Sequence, residues 1–197
     1  ATKTYTVKVD KDKPIVGTIG GNSTSWTTSK TLTSTITDSN SKVRYYAVTT
    51  SSSTPTNWTS VGNAAVASYS LSHTVTANGT YYIWAKDEAG NVSAAKSVEV
   101  TKIDTTTPSI TSSYTSTAYS VNEKTSVAVS TLYSATFGGM GGSVTCKNGS
   151  TTVTNLNTLA VGSYTLTCTA TGKNGKTASV KPKVAIKSAG TTGSDLA

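Results

Sequence analysis

Apolar and polar residues alternate with period two along much of this chain, the pattern of strands that bury one face and expose the other. Leu32, Ser34 and Ile36 alternate on one stretch. Val43, Tyr45 and Ala47 take turns with Arg44, Tyr46 and Val48 on the next. Tyr81, Ile83 and Ala85 alternate with Tyr82, Trp84 and Lys86, and Val98 and Val100 follow on a return strand. The breaks are rich in residues that accept tight turns: Gly20-Gly21-Asn22, Asp38-Ser39-Asn40, Asn78-Gly79 and Asp87-Glu88-Ala89-Gly90-Asn91. About seven short strands in about a hundred residues is what an immunoglobulin-like sandwich requires. The predicted fold class is all-β.

A second period is longer. Tyr5, Val7 and Val9 alternate like a strand and run into Asp10-Lys11-Asp12-Lys13-Pro14. Val98, Val100 and Asp104-Thr105-Thr106-Thr107-Pro108 repeat that arrangement one module length later, the mark of a tandem array. The expected organisation is a first module over 11–105, a second over 106–188 and a polar tail over 189–197. Residues 1–10 read either as the last strand of a preceding module or as the first strand of the first one. No signal-peptide pattern opens the chain, so it reads as a mature fragment or a piece of something longer.

Gly79, Tyr81, Asp87, Gly90, Asn91 and the Asp104–Pro108 linker closely resemble the last hairpin of bacterial immunoglobulin-like modules strung along Gram-positive surface proteins. In the second module, Gly162-Ser163-Tyr164 answers Gly79-Thr80-Tyr81 position by position. Val161 to Tyr164, Cys168 to Thr171 and Cys146 resemble an immunoglobulin-like type related to hyalin-repeat modules. The resemblance implies two tandem immunoglobulin-like β-sandwiches in an extracellular, surface-displayed protein. It implies a non-catalytic spacer or stalk whose partners are neighbouring modules of the same or a like chain. A glycan- or surface-polymer-binding module is one alternative. A virion- or pilus-like subunit that assembles by strand addition, displayed on a virion surface, is another.

Composition narrows the function classes. Ser and Thr make up roughly a third of the chain, while charged residues are 13%, about half the usual share. The net charge is +8, yet Arg44 is the only arginine and the lysines are scattered apart from those near the end. Specific nucleic-acid readout leans on arginine forks, so no specific nucleic-acid partner is expected. No apolar run approaches the length of a membrane span. The single histidine, His73, has no nucleophile or carboxylate pair at catalytic spacing, and no nucleophile elbow, HExxH or phosphate loop occurs. An enzyme is not expected, and no cofactor is.

Several residues remain as candidate sites. Cys146 and Cys168 both belong to core-facing sets and are read as a disulfide, with buried free thiols as the alternative in a reducing cell. Asp10 and Asp12 at a module entrance, and Asp87 and Asn91 in a hairpin, are candidate calcium ligands; turn capping accounts for the same residues. Alternation places Tyr46, Tyr82 and Trp84 on one face, a candidate sugar-stacking surface or simply core aromatics. Met140, in Gly138-Gly139-Met140-Gly141-Gly142, is a candidate contact tip or part of a loose connection.

Overall fold

The computed structural model describes residue 4 and residues 9–190. The strand expected over residues 1–10 falls largely outside them, as does the polar tail from residue 191. The described chain is all-β apart from 3-10 turns at Val129–Leu132 and Leu156–Thr158. It divides into two compact units, residues 1–103 and 104–197.

The first unit contains β1 (Ile15–Val16), β2 (Lys30–Thr37), β3 (Val43–Thr49), β4 (Thr59–Ser60), β5 (Ser68–Val75), β6 (Gly79–Asp87) and β7 (Lys96–Val100). They form two sheets, ordered β1-β2-β5 and β4-β3-β6-β7. In β2 every second residue is buried without exception, as its Lys-Thr-Leu-Thr-Ser-Thr-Ile-Thr sequence dictates. Val16, Ile36 and Leu71 from one sheet pack with Val43, Ile83 and Ala85 from the other, which makes the unit sandwich-like. Full burial of each of these Val, Ile and Leu side chains contributes about 1.5–3 kcal/mol. At the far end, Leu32, Val75, Val100 and Ile103 close a smaller cluster. Asn78 fastens that end: its Nδ2 donates to the Ile103 carbonyl (2.9 Å) and its Oδ1 accepts from the Ile103 N–H (2.8 Å).

The pairing of β3 with β6 is irregular. Val43 stands opposite Asp87, but Tyr45 stands opposite Lys86, so Arg44 is an extra residue in a β-bulge. An inserted residue swaps the faces of everything beyond it. Tyr46 therefore pairs with Ala85 and packs against the core, stacked on Tyr69 with ring centroids 5.3 Å apart. This corrects the expectation that Tyr46 shares a face with Tyr82 and Trp84. Tyr45, Ala47 and Thr49 hold that face instead, opposite Lys86, Trp84 and Tyr82.

The second unit contains β8 (Ser109–Thr111), β9 (Tyr119–Asn122), β10 (Ser134–Thr136), β11 (Gly142–Asn148), β12 (Thr151–Thr152), β13 (Gly162–Thr165), β14 (Thr167–Gly172), β15 (Thr177–Val180) and β16 (Lys183–Lys187). Its sheets are β12-β11-β14-β15, β13-β16-β9 and the pair β10-β8. The last hairpin divides between two sheets: β14 pairs with β15, whereas β13 pairs with β16. The division falls at Pro182, which has no N–H for the ladder and whose carbonyl accepts from Leu166 N (2.9 Å). Cys146, Cys168, Val184 and Ile186 meet Val129, Leu132, Val153, Leu156 and Leu166 in one core. Cys146 and Cys168 are joined by a disulfide and stand directly opposite each other across β11 and β14.

One local device is built twice. Tyr81 donates its hydroxyl to the Ala77 carbonyl (2.8 Å), and Tyr164 donates its own to the Ala160 carbonyl (2.9 Å). A tyrosine that hydrogen-bonds to the backbone shortly upstream is a recurring corner of immunoglobulin-like sandwiches. In both units a glycine precedes it in a backbone conformation that side chains resist, Gly79 at φ +148° and Gly162 at φ +155°.

Candidate functional site

The polar chemistry of each unit gathers where its chain enters. Asp10 leads into the first unit. Its Oδ1 accepts from Asp12 N (2.9 Å), and its Oδ2 accepts from Ser41 N (3.1 Å) and from the Ser41 hydroxyl. Asn91, from the β6–β7 hairpin, donates its Nδ2 to the Asp10 carbonyl (3.3 Å) and to Asp87 Oδ2 (2.7 Å). The Ser41 hydroxyl, followed by the Asp12 N–H, holds the Asp10 carboxyl below the usual carboxylate range.

Asp38 and Asp87 complete this corner. Asp38 Oδ1 accepts from Asn40 N (3.0 Å) and Lys42 N (2.9 Å), and Asp87 Oδ1 accepts from Asn91 N (2.7 Å). Both residues are buried, 6% and 1% exposed. Asp10, Asp38 and Asp87 each bring an oxygen within 4.8 Å of the others. Hard oxygen-seeking cations take such carboxylate donors. Of the four calcium candidates read from sequence, Asp10 and Asp87 belong to the trio. Asn91 points N–H groups at them, and Asp12 accepts from the Asn40 side chain. Asp38, read from sequence as a turn residue, is the member the sequence did not single out. Its alternation with Ile36 and Ser34 on the buried side of β2 was the signal available.

Asp104 does for the second unit what Asp10 does for the first. Its Oδ1 accepts from Thr106 N (2.9 Å) and its Oδ2 from Met140 N (2.9 Å). Asn174, from the β14–β15 hairpin, donates its Nδ2 to the Asp104 carbonyl (3.4 Å) and to the Thr106 carbonyl (2.8 Å). The Met140 and Thr106 N–H groups hold the Asp104 carboxyl below its usual range. Met140 is half-buried, and its amide serves this clamp. Gly138 makes the close approach possible, because a Cβ there would collide with the Asp104 carboxylate.

The aromatic face of the first unit is largely occupied by its own side chains. Trp84 is 7% exposed, and its Nε1 has no hydrogen-bond partner among the described residues. The Lys86 ammonium lies 4.7 Å from the ring centroids of both Tyr45 and Trp58. Tyr82 is half-buried on the same face. Arg44 pairs with Glu88 at 3.3 Å, a contact at the surface worth about 0–1 kcal/mol.

No catalytic constellation forms among the described residues. His73 is half-buried on β5 opposite Leu32, and among the described residues the one group of three acidic side chains placed to share a ligand is Asp10, Asp38 and Asp87. No helix among the described residues is long and apolar enough to cross a membrane.

No protein-family model and no curated protein matches the chain. Among solved structures, the fibronectin(III)-like modules of Clostridium thermocellum CbhA align over 93% of this chain and 99% of that chain. The identity is 13% and the TM-score 0.34. The fold stands on its own strand pairing, and the site on its two aspartate clamps.

Proposed function

We propose that this chain is a stretch of a longer microbial surface or secreted protein in which non-catalytic, immunoglobulin-like modules stand in tandem and present other domains. The observation that carries this reading is the repeated entrance clamp. Asp10 and Asp104 each cap the turn that follows them, accept from one loop of their own unit and receive an asparagine from its last hairpin. A joint used twice in one chain is what an array of like modules needs, since each module must grip the segment that feeds it. The disulfide of the second unit suits an oxidising, extracellular setting. The occupied aromatic face weighs against the glycan-stacking alternative, because the rings of Tyr45 and Trp58 already hold Lys86.

Single-molecule stretching of the whole chain tests the proposal. Two separate unfolding events are expected, one per unit. Cys146 and Cys168 are 22 residues apart, so reduction should lengthen the release of the second unit by about 75 Å and leave the first unchanged. A chain that extends without discrete events, or in one merged event, would refute mechanically independent modules.

A further inference from the structure

We propose that the outer edge of β5, on which no described strand pairs, joins the β5 edge of a second copy of this chain, so that two β1-β2-β5 sheets become one. Among the described residues β5 is the outermost strand of its sheet. It runs in register with β2 over all eight residues, from Lys30 opposite Val75 to Thr37 opposite Ser68, with no bulge. Just before the strand, the Ala67 carbonyl accepts from Asp38 N (3.0 Å), on the β2 side. Backbone groups alternate in direction along an antiparallel strand. Tyr69, Leu71, His73 and Val75 therefore spend theirs on β2, while Ser68, Ser70, Ser72 and Thr74 aim theirs away from it.

Exposed edges are normally blunted by shortness, charge, proline or a bulge. The other sheet of this unit obeys that rule: β4 has two residues, and β7 carries Lys96 and Glu99. β5 reads Ser-Tyr-Ser-Leu-Ser-His-Thr-Val, with none of the chain's 17 basic or 9 acidic residues. Its neighbour β2 adds an exposed row of Thr31, Thr33, Thr35 and Thr37. In a molecule of net charge +8, this is a place where two copies approach without meeting like charges.

The edge is also complementary to itself. A two-fold axis through Ser72 sets Ser72 opposite Ser72, Ser70 opposite Thr74, Leu71 opposite His73 and Tyr69 opposite Val75. Residues that face the core meet residues that face the core, and hydroxyls meet hydroxyls, as Thr31 and Thr74 already do across β2 and β5 at 3.0 Å. The outward groups of Ser70, Ser72 and Thr74 supply about six inter-chain hydrogen bonds in this register. The occupant is thus the same edge of a like chain. Arrays displayed side by side would meet through it at high local concentration.

Sedimentation of the whole chain from micromolar to millimolar concentration tests the pairing. The expected result is a reversible monomer–dimer equilibrium. Ser72→Lys sets two ammonium groups face to face, and Ser72→Pro removes an N–H that β2 does not use. Each should weaken association at least about tenfold while the melting of the first unit, read in the same samples, stays unchanged. Ser70→Lys, opposite Thr74, is the substitute if either variant melts early. Removal of residues 1–8 should leave the dimer intact. A chain that stays monomeric throughout, a dimer that survives the edge variants, or one abolished by the truncation would each overturn the proposal. The last outcome would make an N-terminal strand the occupant.

Discussion

The two entrance clamps share their hydrogen bonds and differ in charge. In both, an aspartate caps the residue two positions on, accepts an amide from the loop that leads into the third or equivalent strand, and receives an asparagine from the last hairpin. Around Asp10 the first unit adds Asp38 and Asp87, both buried. The second unit has Phe137 three residues before Met140, where the first has Asp38 before Ser41. It has Ala170 four residues before Asn174, where the first has Asp87 before Asn91. A lysine also approaches the second clamp, with the Lys176 ammonium donating to the Thr105 carbonyl. One hydrogen-bond frame thus carries either a concentrated negative charge or a single compensated carboxylate. The frame holds the incoming chain. The charge decides what else the corner responds to.

The largest expected difference between the units comes from the disulfide, which only the second contains. Reduction, or the pair Cys146→Ser and Cys168→Ser, should cost the second unit about 3 kcal/mol, a fall of roughly 15 °C in its melting temperature. All three tryptophans, Trp26, Trp58 and Trp84, lie in the first unit, so their fluorescence transition should not move. Calorimetry and tryptophan fluorescence on one sample check both halves of this statement.

The clamps themselves come next. Asp104→Ala strands the N–H groups of Met140 and Thr106 and should lower the melting of the second unit by roughly 8 °C. Asp10→Ala should cost the first unit less, because it relieves crowding among three carboxylates while it removes the caps. Equal losses would show that the added charge does not matter. Acid gives the same comparison without mutation. The Asp104 carboxyl binds its proton more weakly folded than unfolded, so its contribution is complete above the ordinary value of 3.8. That contribution is lost as pH falls through the lower folded value. Melting of the second unit should fall below about pH 4, and Asp104→Asn should flatten that fall.

Calcium should separate the units more gently. Millimolar calcium is expected to raise the tryptophan-reported melting of the first unit by about 5 °C and a chelator to reverse it, with the second unit unmoved. Asp38→Asn should abolish the rise. A calcium effect on both units, or on neither, would leave the trio as turn caps alone. The smallest effect belongs to Lys176→Ala, which removes one exposed donor to Thr105 and should lower the melting of the second unit by about 1–2 °C.

Much of this architecture is legible in the chain itself. Strict alternation of Thr with Leu, Ser and Ile makes β2 a strand with one buried face. Gly79-Thr80-Tyr81 and Gly162-Ser163-Tyr164 mark the same corner in both units, since a glycine must precede the tyrosine in that backbone conformation. Aspartates ahead of Pro14 and Pro108 mark both entrances. These are local signals, set by side-chain periodicity and backbone sterics, and they survive in any context that lets the chain fold.

Tertiary structure decided the rest. The bulge at Arg44 leaves no clear local signature, and it alone moves Tyr46 from the face of Trp84 to the core. Asp38 looks like any turn aspartate until the entering segment and the end of β6 bring Asp10 and Asp87 against it from distant parts of the chain. Pro182 marks a break in a strand, but only the meeting of β13 with β16 and of β14 with β15 shows that the hairpin divides between two sheets there. Alternation determines that a residue has a face. Which residues share that face depends on register, and register is settled between strands rather than within one.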